Sequence, residues 1–238
     1  LALPMMAVPT TAGTGSEVTP WATLWDRTSA QHQKYSLHLA QTWPEAALVD
    51  PALTLSLPHT VTRDSNLDAL SHALEAIWNV NANPVSDGLA LQAAQTVVRH
   101  LPALLDNPGS VELRTMASRA SLLAGLAFSN TKTALAHNIS YEMTLKHGLS
   151  HGLACSFTLP MVWRLAWGKR PDRDAVLQQV FGAQETDPAS ALDRFLARVG
   201  VSSNFQDHGV SPADAQDMVQ RALQGPRGRN FIQAAAAA

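Results

Sequence analysis

The stretch Asp68-Ala69-Leu70-Ser71-His72 places a carboxylate and an imidazole four residues apart. On an α-helix this spacing stacks the two side chains on one face, about one turn apart. A carboxylate joined by imidazoles from other segments is a ligand set for a divalent metal ion. The stretch therefore predicts a helix that carries part of a metal site.

His137 and His151 are the candidate partners of this pair. They lie 14 residues apart, which on one straight helix would separate them by about 21 Å and prevent them from sharing an ion. Gly148 can end the first helix and let the chain turn back, so that His151 opens the next helix. The two histidines can then converge on Asp68 and His72. Either pair alone also occurs in helices that bind no metal, where a histidine is an ordinary core or surface residue.

Composition limits the classes of protein that the chain can represent. Of its 238 residues, 46% are hydrophobic and 15% are charged, and the formal net charge is -2. These values fit a globular core and offer no basic surface for a nucleic acid or a membrane. No uncharged apolar run reaches about 20 residues, so no membrane span or signal peptide is expected. Cys155 is the single cysteine, which excludes an intrachain disulfide framework and favours a cytoplasmic location.

The apolar pattern changes near residue 52. Before it, short runs predict strands at Met5–Pro9, Thr19–Trp25, Lys34–Leu39 and Ala46–Asp50, the last of them buried. After it, helical periodicity predicts helices at Leu67–Asn79, Ser86–Leu105, Ser110–Phe128, Ala134–Lys146, Gly152–Trp167, Arg173–Phe181, Ala189–Val199 and Pro212–Leu223. We expect residues 1–52 to be the C-terminal part of an α/β domain and residues 53–233 to be an all-helical domain. Because the first residue is not methionine and residues 234–238 are all alanine, we expect a fragment whose tail has no function.

The stretch Pro9–Glu17, PTTAGTGSE, follows the first predicted strand. Its glycines allow the backbone to approach a ligand closely, and its hydroxyls supply hydrogen-bond donors. Such a turn suits a phosphate or pyrophosphate. It matches neither GxGxxG nor a P-loop, and most clusters of this composition are ordinary loops. The candidate cofactor-contacting residues of the turn are Thr10, Thr11, Gly13, Thr14 and Ser16.

Together, PTTAGTGSEVT, VDPALTLSLP, DALSHALEA and the two later histidines resemble the iron-containing (group III) alcohol dehydrogenase family, from the first residue to about Trp163. The resemblance implies a dehydroquinate synthase-like architecture. The fold class would be an α/β N-terminal remnant of a truncated dinucleotide-binding domain plus an all-α helical C-terminal domain, with the metal and nicotinamide in the cleft between them. The implied metal ligands are Asp68, His72, His137 and His151. The implied dinucleotide contacts are Thr10, Thr11, Thr14 and Lys34, and Phe128 would line the reaction pocket.

The activity that the resemblance implies is hydride transfer between NAD or NADP and a small alcohol or aldehyde. Fe(II) is the expected metal, because the implied ligands are nitrogen and oxygen atoms without a thiolate, although Zn(II) also fits such a site. The metal would polarise the carbonyl as a Lewis acid. We expect a homo-oligomer, a dimer, with no nucleic-acid or membrane partner. The alternatives are a glycerol dehydrogenase-like zinc enzyme and a non-catalytic helical metal-binding protein.

Two features depart from the family pattern. Tyr141 stands where the family usually has a second histidine close to the nicotinamide. A tyrosine, with a reference pKa of about 10, is a poor base at neutral pH but can still relay a proton. The glycine-rich GGGS pyrophosphate motif is absent, and we expect it to lie in a segment that precedes Leu1.

A finer resemblance concerns the substrate. SHALEAIWNVNANPVSD, SNTKTALAHNISYEMT and HGLACSFTLP resemble the phosphonoacetaldehyde reductase branch of the family. A phosphonate dianion needs a nearby cation, because burying it unpaired is costly. Lys132, five residues before His137, is the first candidate for that cation, and Arg63 and Lys146 are the others. Each is also expected as a solvated surface charge, and Arg63 can pair with Asp64.

Overall fold

The computed structural model describes residues 3–26, 28 and 33–232, and helices dominate these residues. The strands are β1 (Met6–Ala7), β2 (Trp21–Asp26), β3 (Gln33–His38) and β4 (Ala46–Ala47). The helices are α1 (His59–Ile77), α2 (Pro84–Asp106), α3 (Val111–Thr131), α4 (Leu135–His147), α5 (His151–Ser156), α6 (Leu159–Ala166), α7 (Pro171–Leu177), α8 (Pro188–Arg198) and α9 (Pro212–Gln224). The predicted fold class, a small strand-bearing part followed by a helical body, is confirmed. The alanine tail at 234–238 lies outside the described residues.

The strands form two separate pairs. β1 pairs with β4 in parallel, and β2 pairs with β3 in an antiparallel ladder from Trp21↔His38 to Asp26↔Gln33. The prediction of a buried strand at Ala46–Asp50 is wrong, because β4 is two residues long and both are exposed. Parallel strands are buried within larger covered sheets, and the described residues add no third strand to this pair. The domain boundary near residue 52 stays a prediction.

Helix α1 lies at the centre of the helical body. Every residue from Asn66 to Ile77 is buried, and α2, α3, α4 and α5 all contact α1. Its first residues, from His59 to Val61, are exposed, so the buried apolar pattern used to locate the helix begins after the helix itself does. It begins at His59, well before the predicted start at Leu67. Its buried polar side chains must find partners inside the protein.

Helix ends decide where the site residues lie. As predicted, α4 stops at Gly148, which adopts the left-handed conformation with φ 72°. The single helix predicted over Gly152–Trp167 is wrong, because α5 and α6 are separate helices. Pro160, at the start of α6, lacks an N–H and its ring would clash with the carbonyl one turn earlier.

No helix in the described part of the chain combines the length and apolar character needed to cross a bilayer.

Helix α5 packs with its backbone directly against α1. A Cβ atom built on Gly152 would lie 1.9 Å from the carbonyl oxygen of Asp64. No side chain fits at this position, so a glycine is required for the two helices to approach. This contact places His151, the preceding residue, one turn of α1 away from Asp68.

Replacing Gly152 with alanine should destabilise the protein by about 1–3 kcal/mol or more, because the added methyl group forces α5 away from α1. Equilibrium denaturant unfolding measures the change. Gly88→Ala is the matched control: a Cβ at Gly88 meets no atom within 4 Å, and alanine is the better helix former, so this variant should be neutral or stabilised by about 0.5–1 kcal/mol. Equal stability of the two variants would contradict the close contact.

Candidate metal centre

The side chains of Asp68, His72, His137 and His151 converge. The Oδ1 atom of Asp68 lies 3.8 Å from His72 Nε2, 3.5 Å from His137 Nε2 and 4.0 Å from His151 Nε2. Asp68 and His72 come from α1, His137 comes from α4, and His151 is the first residue of α5. The turn at Gly148 thus brings the two distant histidines to the pair on α1.

Two polar atoms at this point have no hydrogen-bond partner among the described residues. They are Asp68 Oδ1 and His137 Nε2, and both are buried. Leaving such an atom unsatisfied costs about 1–3 kcal/mol. Ligand atoms around a tetrahedral ion with bonds of about 2.1 Å lie roughly 3.4 Å apart, close to the separations observed here. The residues therefore fit a divalent cation, and the two unpaired atoms would become ligands.

Glu75 orients His137. This fully buried carboxylate accepts hydrogen bonds from His137 Nδ1 at 2.7 Å, Ala134 N at 2.7 Å and His137 N at 3.1 Å. With Nδ1 donating to Glu75, the lone pair of Nε2 faces Asp68. Glu75 was not among the residues predicted to belong to the site. Its signal was the spacing: Glu75 follows His72 by three residues and Asp68 by seven, on the same face of α1.

The glycine-threonine turn contributes to the site in two ways. Gly13 is buried, and its carbonyl oxygen accepts a hydrogen bond from His72 Nδ1 at 3.2 Å, which orients the second histidine as Glu75 orients the first. Thr14 and Ser16 are exposed and line the cavity over the metal site. Thr10 is exposed and Thr11 is half-buried, and neither is among the residues that line this cavity.

The cavity beside the candidate ligands has a volume of about 340 Å³. Phe128 forms part of its wall and stacks on His72, with ring centroids 4.1 Å apart. Lys34 also lines it. Burial, followed by the positive charge of Arg227, lowers the pKa of Lys34 to about 8. The cavity thus brings residues of the predicted cofactor and reaction sites next to the candidate metal ligands.

Tyr141 and Lys132 line a neighbouring cavity that shares Lys34 and Arg227 with the first one. The Tyr141 hydroxyl is buried without a hydrogen-bond partner in the described chain, and burial raises the pKa of Tyr141 to about 12. Lys132 is exposed. The roles predicted for these two residues stay predictions.

The other two candidate cations have carboxylate partners. Arg63 Nε lies 2.8 Å from Asp64 Oδ1, and Lys146 Nζ lies 2.7 Å from Glu142 Oε1. Neither basic residue lines the cavity beside the candidate ligands.

A thiol also lies at the metal centre. Cys155 is fully buried, with Sγ 3.7 Å from the ring nitrogens of His151. Ligand atoms of Asp68, His137, His151 and Cys155 all lie within 4.8 Å of one another, and the predicted ligand His72 is not in this group. Burial alone would raise the pKa of Cys155, but the two imidazoles outweigh it and lower the pKa to about 7. Cys155 was not predicted as a candidate donor. Helix α5 carries it one turn after His151, and a donor set that included this thiol would suit Zn(II) as well as Fe(II).

Comparison with known proteins places the chain in a family. The model of the Fe-containing alcohol dehydrogenase family, C-terminal, matches residues 62–237, and the model for iron-containing alcohol dehydrogenase matches residues 1–51. The chain belongs to the iron-containing alcohol dehydrogenase family. The residues that converge at the metal centre lie within the C-terminal match, and the glycine-threonine turn lies within the N-terminal match.

Individual members of the iron-containing alcohol dehydrogenase family are similar over nearly the whole chain. The NAD-dependent methanol dehydrogenase of Bacillus methanolicus is 31% identical over 93% of this chain and 60% of its own length. The 1,3-propanediol dehydrogenase of Citrobacter freundii is 32% identical over 92% of this chain and 59% of its own length. The crystal structure of sulfoacetaldehyde reductase from Bifidobacterium kashiwanohense in complex with NAD+ has a TM-score of 0.86 and 33% identity, over 96% of this chain and 60% of that chain. The chain thus spans about 60% of the length of these relatives.

Glu75→Gln should lower the affinity for a divalent cation by about 10- to 100-fold, because it weakens the hydrogen bond that orients His137. Competition with a chromophoric chelator measures the affinity. Glu112→Gln, on an exposed site in the first turn of α3, is the control and should leave it unchanged. Equal affinities in the two variants would show that Glu75 does not contribute to metal binding.

Proposed function

We propose that the protein containing this chain is a metal-dependent, nicotinamide-linked alcohol dehydrogenase that reduces small aldehydes and oxidises the corresponding alcohols. One observation carries the proposal: a carboxylate and three imidazoles converge with two buried, unpaired ligand atoms. They do so at a cavity that the glycine-threonine turn also lines. Membership of a family whose relatives are named alcohol dehydrogenases supports it.

A bound divalent cation would supply Lewis acidity toward a carbonyl oxygen, and a bound nicotinamide would supply hydride. The chain's own residues orient and shield the reactants. Phe128, stacked on His72, forms an apolar wall that excludes water from the reacting carbon. Thr14 and Ser16 present hydroxyls to the cavity for hydrogen bonds with the cofactor. Tyr141, with a pKa of about 12, keeps the proton on its hydroxyl at neutral pH, so it can donate that proton but not act as a base.

The finer points of the proposal concern the cofactor, the metal and the substrate. NAD is the proposed cofactor, since one relative is NAD-dependent and a structural neighbour was solved with NAD+. Fe(II) is the proposed metal, with Zn(II) as the competitor that the Cys155 thiol favours. Phosphonoacetaldehyde is the proposed substrate, supported by the branch resemblance and by a neighbour that acts on an aldehyde bearing a sulfonate. A cytoplasmic homodimer completes the proposal.

His151→Ala should lower metal content and aldehyde reduction together, because it removes one of the converging donors. Elemental analysis of the purified protein and an NADH oxidation assay with a panel of short aldehydes measure the two. Full metal occupancy in the variant would exclude the four-ligand site. A wild-type protein that holds metal but oxidises no NADH with any aldehyde would instead favour the non-catalytic alternative.

Thr14→Val should raise the KM for NADH by more than the KM for the aldehyde, because it removes a cavity-facing hydroxyl from the glycine-threonine turn. Steady-state kinetics with each substrate varied in turn separate the two effects. Thr60→Val, an exposed threonine in the first turn of α1, serves as the control. An equal rise in both KM values would argue against a cofactor contact at Thr14.

A further inference from the structure

Two basic side chains line the cavity beside the metal centre. Lys34 and Arg227 are half-buried and face the same space as the candidate ligands. In the described part of the chain, neither lies within ion-pair distance of a carboxylate, whereas Arg63 and Lys146 both do. Among the described residues, the cavity therefore contains two cations that form no ion pair with a carboxylate.

Arg227 is held in place by aromatic rings and a hydroxyl. Its guanidinium lies 5.1 Å from the centroid of the Trp21 ring and 5.9 Å from that of Tyr141, and its Nη1 donates a hydrogen bond to Thr133 Oγ1. Lys34 Nζ lies 4.1 Å from the centroid of the same tyrosine ring. Ring faces stabilise a cation without cancelling its charge. Among the described residues, the guanidinium of Arg227 donates to Thr133 Oγ1. Its other N–H donors can form a planar, bidentate contact with an oxyanion.

The backbone that carries Arg227 is closely packed and hydrogen-bonded. A Cβ atom at Gly228 would lie 2.0 Å from the carbonyl oxygen of Ala222, and the backbone N–H of Asn230 donates to the Arg227 carbonyl at 3.0 Å. The Asn230 amide donates to the Thr133 carbonyl at 2.8 Å. This turn is thus tied to the segment immediately before α4.

That segment links the cation to the metal centre. Thr133 precedes Ala134, whose N–H is bound by Glu75, the carboxylate that also orients His137. The guanidinium and the metal-binding imidazole are therefore positioned by one connected set of contacts. An anion bound at Arg227 would lie in the same cavity as the metal ligands, as expected for the far end of a short substrate.

Two neighbouring cations repel each other, and after burial this repulsion by Arg227 is the second cause of the lowered pKa of Lys34. A dianion placed between them would relieve this repulsion. A dinucleotide phosphate is one such anion, and an anionic group on the substrate is the other. The link between Arg227 and Thr133, on the side of the cavity that supplies His137, favours the substrate.

We propose that Arg227, with Lys34 beside it, is a specificity-determining residue that binds the terminal tetrahedral oxyanion, a phosphonate or sulfonate, of a two-carbon aldehyde. This proposal rests on the proposed function. It assigns the substrate's charge to Arg227 and not to Lys132, which is exposed and lines the neighbouring cavity.

The test compares Arg227→Gln with Arg229→Gln in the full-length protein. Arg229 lies on the same turn but is exposed and does not line the cavity. The kcat/KM for phosphonoacetaldehyde, divided by that for propionaldehyde, should fall about 10- to 150-fold in Arg227→Gln. The same ratio should not change in Arg229→Gln or in Lys132→Gln. Sulfoacetaldehyde in place of phosphonoacetaldehyde shows which oxyanion is preferred.

Binding without turnover separates this proposal from the proposed function. Calorimetry with 2-hydroxyethylphosphonate should give a Kd that rises about 10- to 150-fold in Arg227→Gln, and 1-propanol is the uncharged comparison. Such binding in a protein that reduces no aldehyde would leave the Arg227 site standing and exclude the enzyme. An unchanged ratio and Kd, a larger effect in Lys132→Gln, or a rise confined to the KM for NADH would overturn the assignment to Arg227.

Discussion

The buried carboxylate of Glu75 is the interaction on which the metal centre depends. A carboxylate inside a protein is tolerated when it is fully hydrogen-bonded, and Glu75 accepts from two backbone N–H groups at the start of α4 and from the His137 ring. Burial would raise the pKa of Glu75, but the charge of His137 and these hydrogen bonds outweigh it and lower the pKa. The first N–H groups of a helix have no hydrogen-bond partner within it. Here these N–H groups donate to Glu75, and the buried carboxylate gains the donors that it needs. This fixes the register of α4 on α1.

A second constraint is the close approach of two glycines to α1. Cβ atoms on Gly13 and Gly152 would meet the carbonyl oxygens of Ser65 and Asp64 at 2.4 and 1.9 Å. The glycine-threonine turn and the start of α5 therefore dock on adjacent residues of α1, one turn before Asp68. The glycine-threonine turn, predicted to bind the cofactor, and His151, which opens α5, are therefore both positioned by the same turn of α1. Their relative position is set by backbone contacts, which vary less than contacts between flexible side chains.

The cavity that results is divided by charge. Asp68 supplies the negative group that lines the cavity, and Glu75 lies buried behind His137. Lys34 and Arg227 line the same cavity and supply positive groups that lack carboxylate partners in the described chain. Such a separation orients a polar substrate without any change in the fold. The candidate metal ligands lie within the part of the chain that the C-terminal family model matches. Arg227 contacts Thr133 and Trp21.

Local signals in the sequence predicted much of the fold and of the metal centre. The spacing of Asp68 and His72 and the helix stop at Gly148 depend on neighbouring residues, and the structure contains both of them. Pro160 was also a local signal, and the prediction of one long helix across it gave that signal too little weight. The start of α1 was not located, because its first turn is exposed and the continuous buried run begins only at Asn66.

The sequence by itself determined which residue types were present to bind a metal, and the spacing that allowed two of them to share a helix face. Tertiary structure alone decided that Glu75 would orient His137, that Cys155 would lie against His151, and that Arg227 would enter the cavity. The reason is physical. Contacts between residues on different elements depend on how helices pack and on which backbones can approach, and no periodicity along the chain encodes those distances.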